Sequence, residues 1–87
     1  MTLRITQVES ETGTVLRVDG RLEGESLREL KRACEGALSP LMLNLEGLLW
    51  IDDRAAESLR QLIAKGTVVT NASPYVTLRM KNDRNET

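Results

Sequence analysis

The run LMLNLEGLLWI, residues 41–51, is the most apolar stretch of the chain and does most to narrow its fold. It is too short to cross a bilayer as a helix, which takes about 20 residues. A brief, nearly continuous apolar run reads instead as a strand buried on both faces, in the middle of a sheet with parallel neighbours. Gly47 interrupts it and marks a bend or bulge. On either side the hydrophobic period changes. In residues 25–38, ESLRELKRACEGAL, Leu27, Leu30, Cys34 and Ala37 or Leu38 recur at helical spacing, with Arg28, Glu29, Lys31, Arg32 and Glu35 on the other face. Gly24 or Glu25 stands near the start of that helix, and Ser39-Pro40 ends it. Residues 54–65, RAAESLRQLIAK, return to the same period, with Ala55, Leu59, Leu62 and Ile63 inward and Gly66 just past the end.

The flanks complete the pattern. Leu3, Ile5 and Val8 predict a short first strand, Gly13 a turn, and the run from Val15 or Leu16 through Val18 a second strand. Asp19-Gly20 is a turn signal and Gly24 another breaker. Two strands joined by a short turn pair antiparallel. Residues 67–72, TVVTNA, predict one more strand. Ser73 and Pro74 then read as the cap and first residue of a short helix, PYVTLRMK. The polar end of the chain, residues 82–87, reads as a tail behind a domain over 1–81. The predicted order is β β α β α β α, with a sheet that is largely parallel after its first hairpin.

Composition excludes several functions. The 87 residues suffice for one small domain. Twelve basic and 13 acidic residues leave a net charge of −1, which gives no reason to expect nucleic-acid binding. There is no histidine, so the commonest general base and transition-metal ligand are missing. One Trp, one Tyr and no Phe cannot build a base-stacking platform. Cys34 is the single cysteine, so no internal disulfide forms. It falls on the apolar stripe of its helix and reads as a small core residue. With no apolar leader or span, the chain is expected to be cytoplasmic, without direct membrane insertion.

The chemistry of the chain concentrates at WIDDRAAESL, residues 50–59, where the apolar run hands over to a helix through Asp52 and Asp53. Three accounts compete. The first is capping: a helix start leaves N–H groups unsatisfied and carries about half a positive charge. The second is a docking surface. The third, catalysis or metal binding, is weak, because adjacent carboxylates on a strand–helix turn point apart and no histidine or second acid cluster joins them. Gly20-Arg21-Leu22-Glu23-Gly24 lacks the Gly-Lys-Ser/Thr ending of a phosphate loop. Trp50, directly before the junction, is expected to pack into the core; if exposed, it becomes an interface anchor.

These segments resemble the STAS domain, the family of sulfate transporters and anti-sigma factor antagonists. The resemblance covers roughly residues 3–80. It rests on Gly20-Arg21-Leu22 at a strand end, and on Leu43-Asn44-Leu45-Glu46-Gly47-Leu48-Leu49-Trp50-Ile51-Asp52-Asp53-Arg54-Ala55. The second run is similar to the family's Leu-Asp-Leu-Ser-Gly-Val-x-x-Ile-Asp-Ser-Ser-Gly. The resemblance implies an α/β STAS-like fold, a mixed sheet of about four strands with helices mainly on one face. It also implies a non-catalytic module without cofactor or metal, which binds a protein partner near Arg21 and at the start of the second helix.

One departure bears on function. Anti-sigma factor antagonists carry a kinase-phosphorylated serine or threonine where this chain has Asp53, followed here by Arg54-Ala55. An aspartate carries −1 against about −1.5 to −2 for a phosphoserine, so the resemblance leaves two readings of Asp53: a fixed, partial mimic of the phosphorylated state, or a loss of switching. The expected docking residues are Arg21, Glu23, Asp52, Asp53, Arg54 and Glu57. The partner implied is an anti-sigma factor kinase-like protein or, in the family's other small members, the ATPase of a membrane-lipid ABC transporter. A small-ligand or nucleotide binder is the alternative from another class. A thin aliphatic core and a short last helix leave apolar surface that a homodimer could cover.

Overall fold

The computed structural model describes residues 3–81, which form five strands and three helices. In chain order these are β1 (Leu3–Ser10), β2 (Gly13–Leu22), α1 (Ser26–Glu35), β3 (Leu41–Asn44), β4 (Leu48–Ile51), α2 (Asp53–Ala64), β5 (Val68–Thr70) and α3 (Pro74–Lys81). The tail expected over 82–87 lies outside the described residues.

β1 and β2 form the expected antiparallel hairpin, in unbroken register from Leu3 opposite Gly20 to Ser10 opposite Gly13. β3, β4 and β5 all run parallel to their neighbours: β3 lies beside Thr14–Arg17 of β2, β4 beside its far end, and β5 beyond β3. Gly13 starts β2 with φ +130°, and a Cβ there would overlap the Pro40 carbonyl oxygen. That carbonyl accepts the Thr14 N–H at 3.0 Å, so glycine lets the α1–β3 connection lie against the strand.

Two expectations about the strands need correction here. Asp19-Gly20 is not a turn. β2 runs through it to Leu22, with Gly20 at φ +97° and its N–H donated to the Gly47 carbonyl at 2.9 Å. The register with β4 shifts between Gly20 and Arg21. A bulge uses the same positive φ as a turn, and the dipeptide alone does not tell them apart. The hairpin turn is at residues 11–12, so Arg21 sits at a strand end and not near that turn.

The run 41–51 is also not one strand buried on both faces. It breaks at Leu45-Glu46-Gly47, where the Asn44 side chain accepts the Glu46 N–H at 3.0 Å and the Leu48 N–H returns to the Leu45 carbonyl at 3.1 Å. The Asp19 carboxylate fills the space a Cβ on Gly47 would need. This break turns the expected strand into β3 and β4 and raises the count to five. Leu43, Leu45, Leu48 and Ile51 are buried, whereas Met42 and Leu49 are exposed.

One core explains the layering. Leu27 and Leu30 from α1, Ala55, Ala56 and Leu59 from α2, and Val76 from α3 join Leu16, Val18, Leu22, Leu43, Leu45, Leu48 and Ile51 in a single cluster. The helices thus lie mainly on one face of a mixed sheet. Within them, α1 ends at Glu35 rather than near Leu38. Ile63, in the last turn of α2, is exposed rather than inward. Cys34 is half-buried at the edge of the core, not inside it. Ser73 and Pro74 act as expected, the Ser73 hydroxyl accepting the Val76 N–H at 3.1 Å.

Candidate functional site

The ends of β2 and β4 and the start of α2 meet at one corner, and Asp52 ties them together. Its Oδ1 accepts the Ala55 N–H at 2.8 Å, the capping bond that starts α2. Its Oδ2 accepts the Gly24 N–H at 3.2 Å, which fastens the β2–α1 loop. Its own N–H continues the sheet, donating to the Leu22 carbonyl at 3.3 Å. Capping therefore accounts for Asp52, and such a cap is worth about 1 kcal/mol.

Asp53 is different. It is the first residue of α2, and its side chain is 98% exposed. Among the described residues its ion pair is with Nη2 of Arg79, at 3.3 Å. The acid favours a helix start whatever its partner, since it faces the positive end of the dipole. The two carboxylates go to different partners, one to backbone N–H groups and one to a guanidinium.

Arg79 and Tyr75, one turn apart on α3, close the corner. Arg79 Nη2 donates to the Ile51 carbonyl at 2.9 Å, and the Tyr75 hydroxyl lies 3.2 Å from that carbonyl and 3.4 Å from the Ile51 nitrogen. These side chains satisfy the edge of β4 that no strand covers among the described residues.

Trp50 is the centre of the arrangement, and the expectation that it packs in the core is corrected: it is 38% exposed. Gly20 pairs with Leu48 but Arg21 pairs with Trp50, so β4 carries an extra residue, Leu49, at the bulge. Leu48 and Ile51 take the core positions, and both residues between them turn outward, Leu49 to 74% exposure. The indole ring stacks on Tyr75 with centroids 6.0 Å apart and planes at 22°. The Arg21 guanidinium lies 5.3 Å from its centroid and that of Arg79 5.9 Å. Arg21 also pairs with Glu23 at 3.1 Å. The result is a held aromatic surface with a mixed-charge rim.

Of the predicted docking residues, Arg21, Glu23, Asp52 and Asp53 come together at this corner. Arg54 is exposed in the first turn of α2. Glu57 lies one turn further along α2, where Arg60 pairs with it at 2.7 Å and Gln61 donates to it at 3.3 Å. Leu49, Tyr75 and Arg79 were not expected. The Tyr75–Arg79 spacing of one helical turn was visible in the sequence, but only the fold shows that this helix face meets β4.

Other concave surface lies elsewhere. A groove of about 440 Å³ beside α1 is lined by Cys34, Glu35, Pro40, Leu41, Leu62 and Lys65, and a neighbouring hollow of about 260 Å³ adds Leu30 and Ser58. Burial pushes the Cys34 thiol pKa up, and the adjacent Glu35 charge adds to the effect. Among the described residues, no group of three or more Cys, Asp or Glu side chains gathers where a metal ion could sit. No helix among them is long and apolar enough to cross a membrane.

No family model and no curated protein matches the sequence. The structure is similar to the crystal structure of an antisigma-factor antagonist STAS domain from Rhodobacter sphaeroides, with a TM-score of 0.61 and 21% sequence identity. The match covers 84% of this chain and 94% of that one. The chain has a STAS-like fold.

Proposed function

We propose that the chain is a non-catalytic protein-binding module resembling an anti-sigma factor antagonist, docking its partner through the corner around Trp50 and Asp53. The observation that carries this reading is Trp50 itself. A lone indole is turned out of the sheet by a bulge, stacked on Tyr75 and faced by two guanidiniums, beside a fully exposed acid. Aromatic and arginine anchors inside a polar rim are the usual make-up of a protein interface centre. Leu49, also exposed, extends its apolar part.

The second element of the proposal is that the surface is fixed. Asp53 stands where the resembled family carries its phosphorylated alcohol, and Arg79 already pairs with it. An arginine beside an acid is how a phosphate-ordered surface is held, with about half the charge in this case. No serine kinase can toggle position 53, so binding is governed by partner abundance alone.

The test uses the two partner classes that the resemblance implies. Purified anti-sigma factor kinase-like proteins and transporter ATPases encoded beside this gene are titrated against the wild-type chain, Trp50→Ala and Asp53→Arg. The proposal expects one class to bind and both substitutions to weaken it at least tenfold with the fold intact. In a parallel incubation with the kinase and ATP, intact mass should not change. A phosphate mapped to residues 50–59, or binding that ignores both substitutions, contradicts the proposal.

A further inference from the structure

We infer that β1 is a self-pairing edge: two copies of the chain join antiparallel through Thr6–Ser10, with Val8 directly opposite Val8 of the second copy. β1 is eight residues long and pairs only with β2 among the described residues. Its register is unbroken, with no bulge and no proline. An edge of this kind presents a row of free N–H and C=O groups that another strand can take up. The opposite edge of the sheet, β5, has three residues and is protected by its shortness.

The side chains choose both the partner and the register. On the helix-free face, Val8 pairs with Val15, Val15 with Met42, and Met42 with Val68. This is one apolar row across four strands, and Val8, Met42 and Val68 are exposed in it. Strands joining edge to edge about a two-fold axis perpendicular to the sheet must match residues of the same face. Centring that axis on Val8 places the row of one copy end to end with the row of the other. It sets Thr6 against Ser10 of the second copy, a favourable hydroxyl pair, and Gln7 against Glu9. No like charges stand opposite each other, because Arg4 and Glu11 fall outside the paired segment. Centring on Thr6 instead would set Arg4 against Val8 and Leu3 against Glu9, breaking the row and pairing charge with aliphatic side chains. A two-fold join uses up both β1 edges, so assembly stops at two copies.

This inference is independent of the proposed docking corner, which involves β4, α2 and α3 and leaves β1 free. The test is run on the full chain. Light scattering after size exclusion, at concentrations up to millimolar, should give twice the 9.7 kDa chain mass, and Val8→Lys should give the single-chain mass with an unchanged circular dichroism spectrum. Single cysteines are then placed in a Cys34→Ser background and oxidised. Val8→Cys should yield a cross-linked dimer, since directly opposed Cβ atoms lie about 4.5–5.5 Å apart, near disulfide reach. Thr6→Cys should yield none. A monomer at every concentration, open-ended assembly, an unaffected dimer in Val8→Lys, or cross-linking at Thr6→Cys overturns the inference.

Discussion

The Tyr75 hydroxyl bridges both polar groups of one residue's backbone, lying 3.2 Å from the Ile51 oxygen and 3.4 Å from its nitrogen. A helix thus does at the β4 edge what a further strand would otherwise do. It also holds the indole beside it, because the Tyr75 ring is the surface on which Trp50 stacks.

Removing that hydroxyl is therefore a backbone lesion. Tyr75→Phe keeps the ring and the stacking, and Arg79 still serves the Ile51 carbonyl. The Ile51 N–H is left without its partner, at about 1 kcal/mol. Urea unfolding should show a lower midpoint with an unchanged slope.

The adjacent aspartates separate stability from binding. Asp52→Ala deletes the α2 cap and the tie to Gly24, and should lower stability by about 0.5–2 kcal/mol. Asp53→Ala should lower the unfolding midpoint less than Asp52→Ala, because the lost ion pair is an exposed one and an acid facing the helix dipole is worth only about 0.3–1 kcal/mol. Partner binding should respond in the opposite order, with Asp53→Ala the more harmful of the two once both variants are shown to be folded.

Two glycines with positive φ should differ in their tolerance of alanine. Gly13→Ala combines φ +130° with overlap on the Pro40 carbonyl and should lose about 1–3 kcal/mol or fail to fold. Gly24→Ala has φ +52° and open space around it, so only the left-handed backbone opposes the new side chain, at about 1 kcal/mol. Thermal unfolding of the two variants side by side checks the order.

Cys34 should be a slow nucleophile. The thiolate is the reactive form, and burial shifts its formation to higher pH than in an exposed thiol. The pH profile of iodoacetamide labelling should rise later in the native chain than in the urea-unfolded chain, where that shift is absent. Coincident profiles would place the thiol in open solvent.

The sequence made the helices legible because their apolar period is long and their stops are chemically marked. Ser73 as a cap and Pro74 as a first helical residue follow from residue type alone, whereas only the fold shows which of Asp52 and Asp53 caps α2. It misled where one signal serves two geometries. Asp19-Gly20 encodes a bulge through the same glycine φ that would make a turn, and Gly47 divides an apolar run that reads as one strand. The bulge then hides the main feature of the corner: strict alternation would bury either Leu49 or Trp50, and the extra residue exposes both. Arg79 was unreadable for another reason. Its partners, Asp53 and Ile51, are 26 and 28 residues away in sequence, and only tertiary packing brings them within reach.

The account centres on a fixed docking corner, and quantitative differential capture tests it most directly. Wild-type, Trp50→Ala, Asp53→Arg and Val68→Lys chains, all shown to be folded, serve as baits in native lysate, and bound proteins are quantified by mass spectrometry. The account predicts at least one protein retained equally by wild type and Val68→Lys, depleted at least tenfold on both Trp50→Ala and Asp53→Arg, and showing the same ranking when purified. A captured set identical across all four baits, or depletion on Val68→Lys alone, would contradict it.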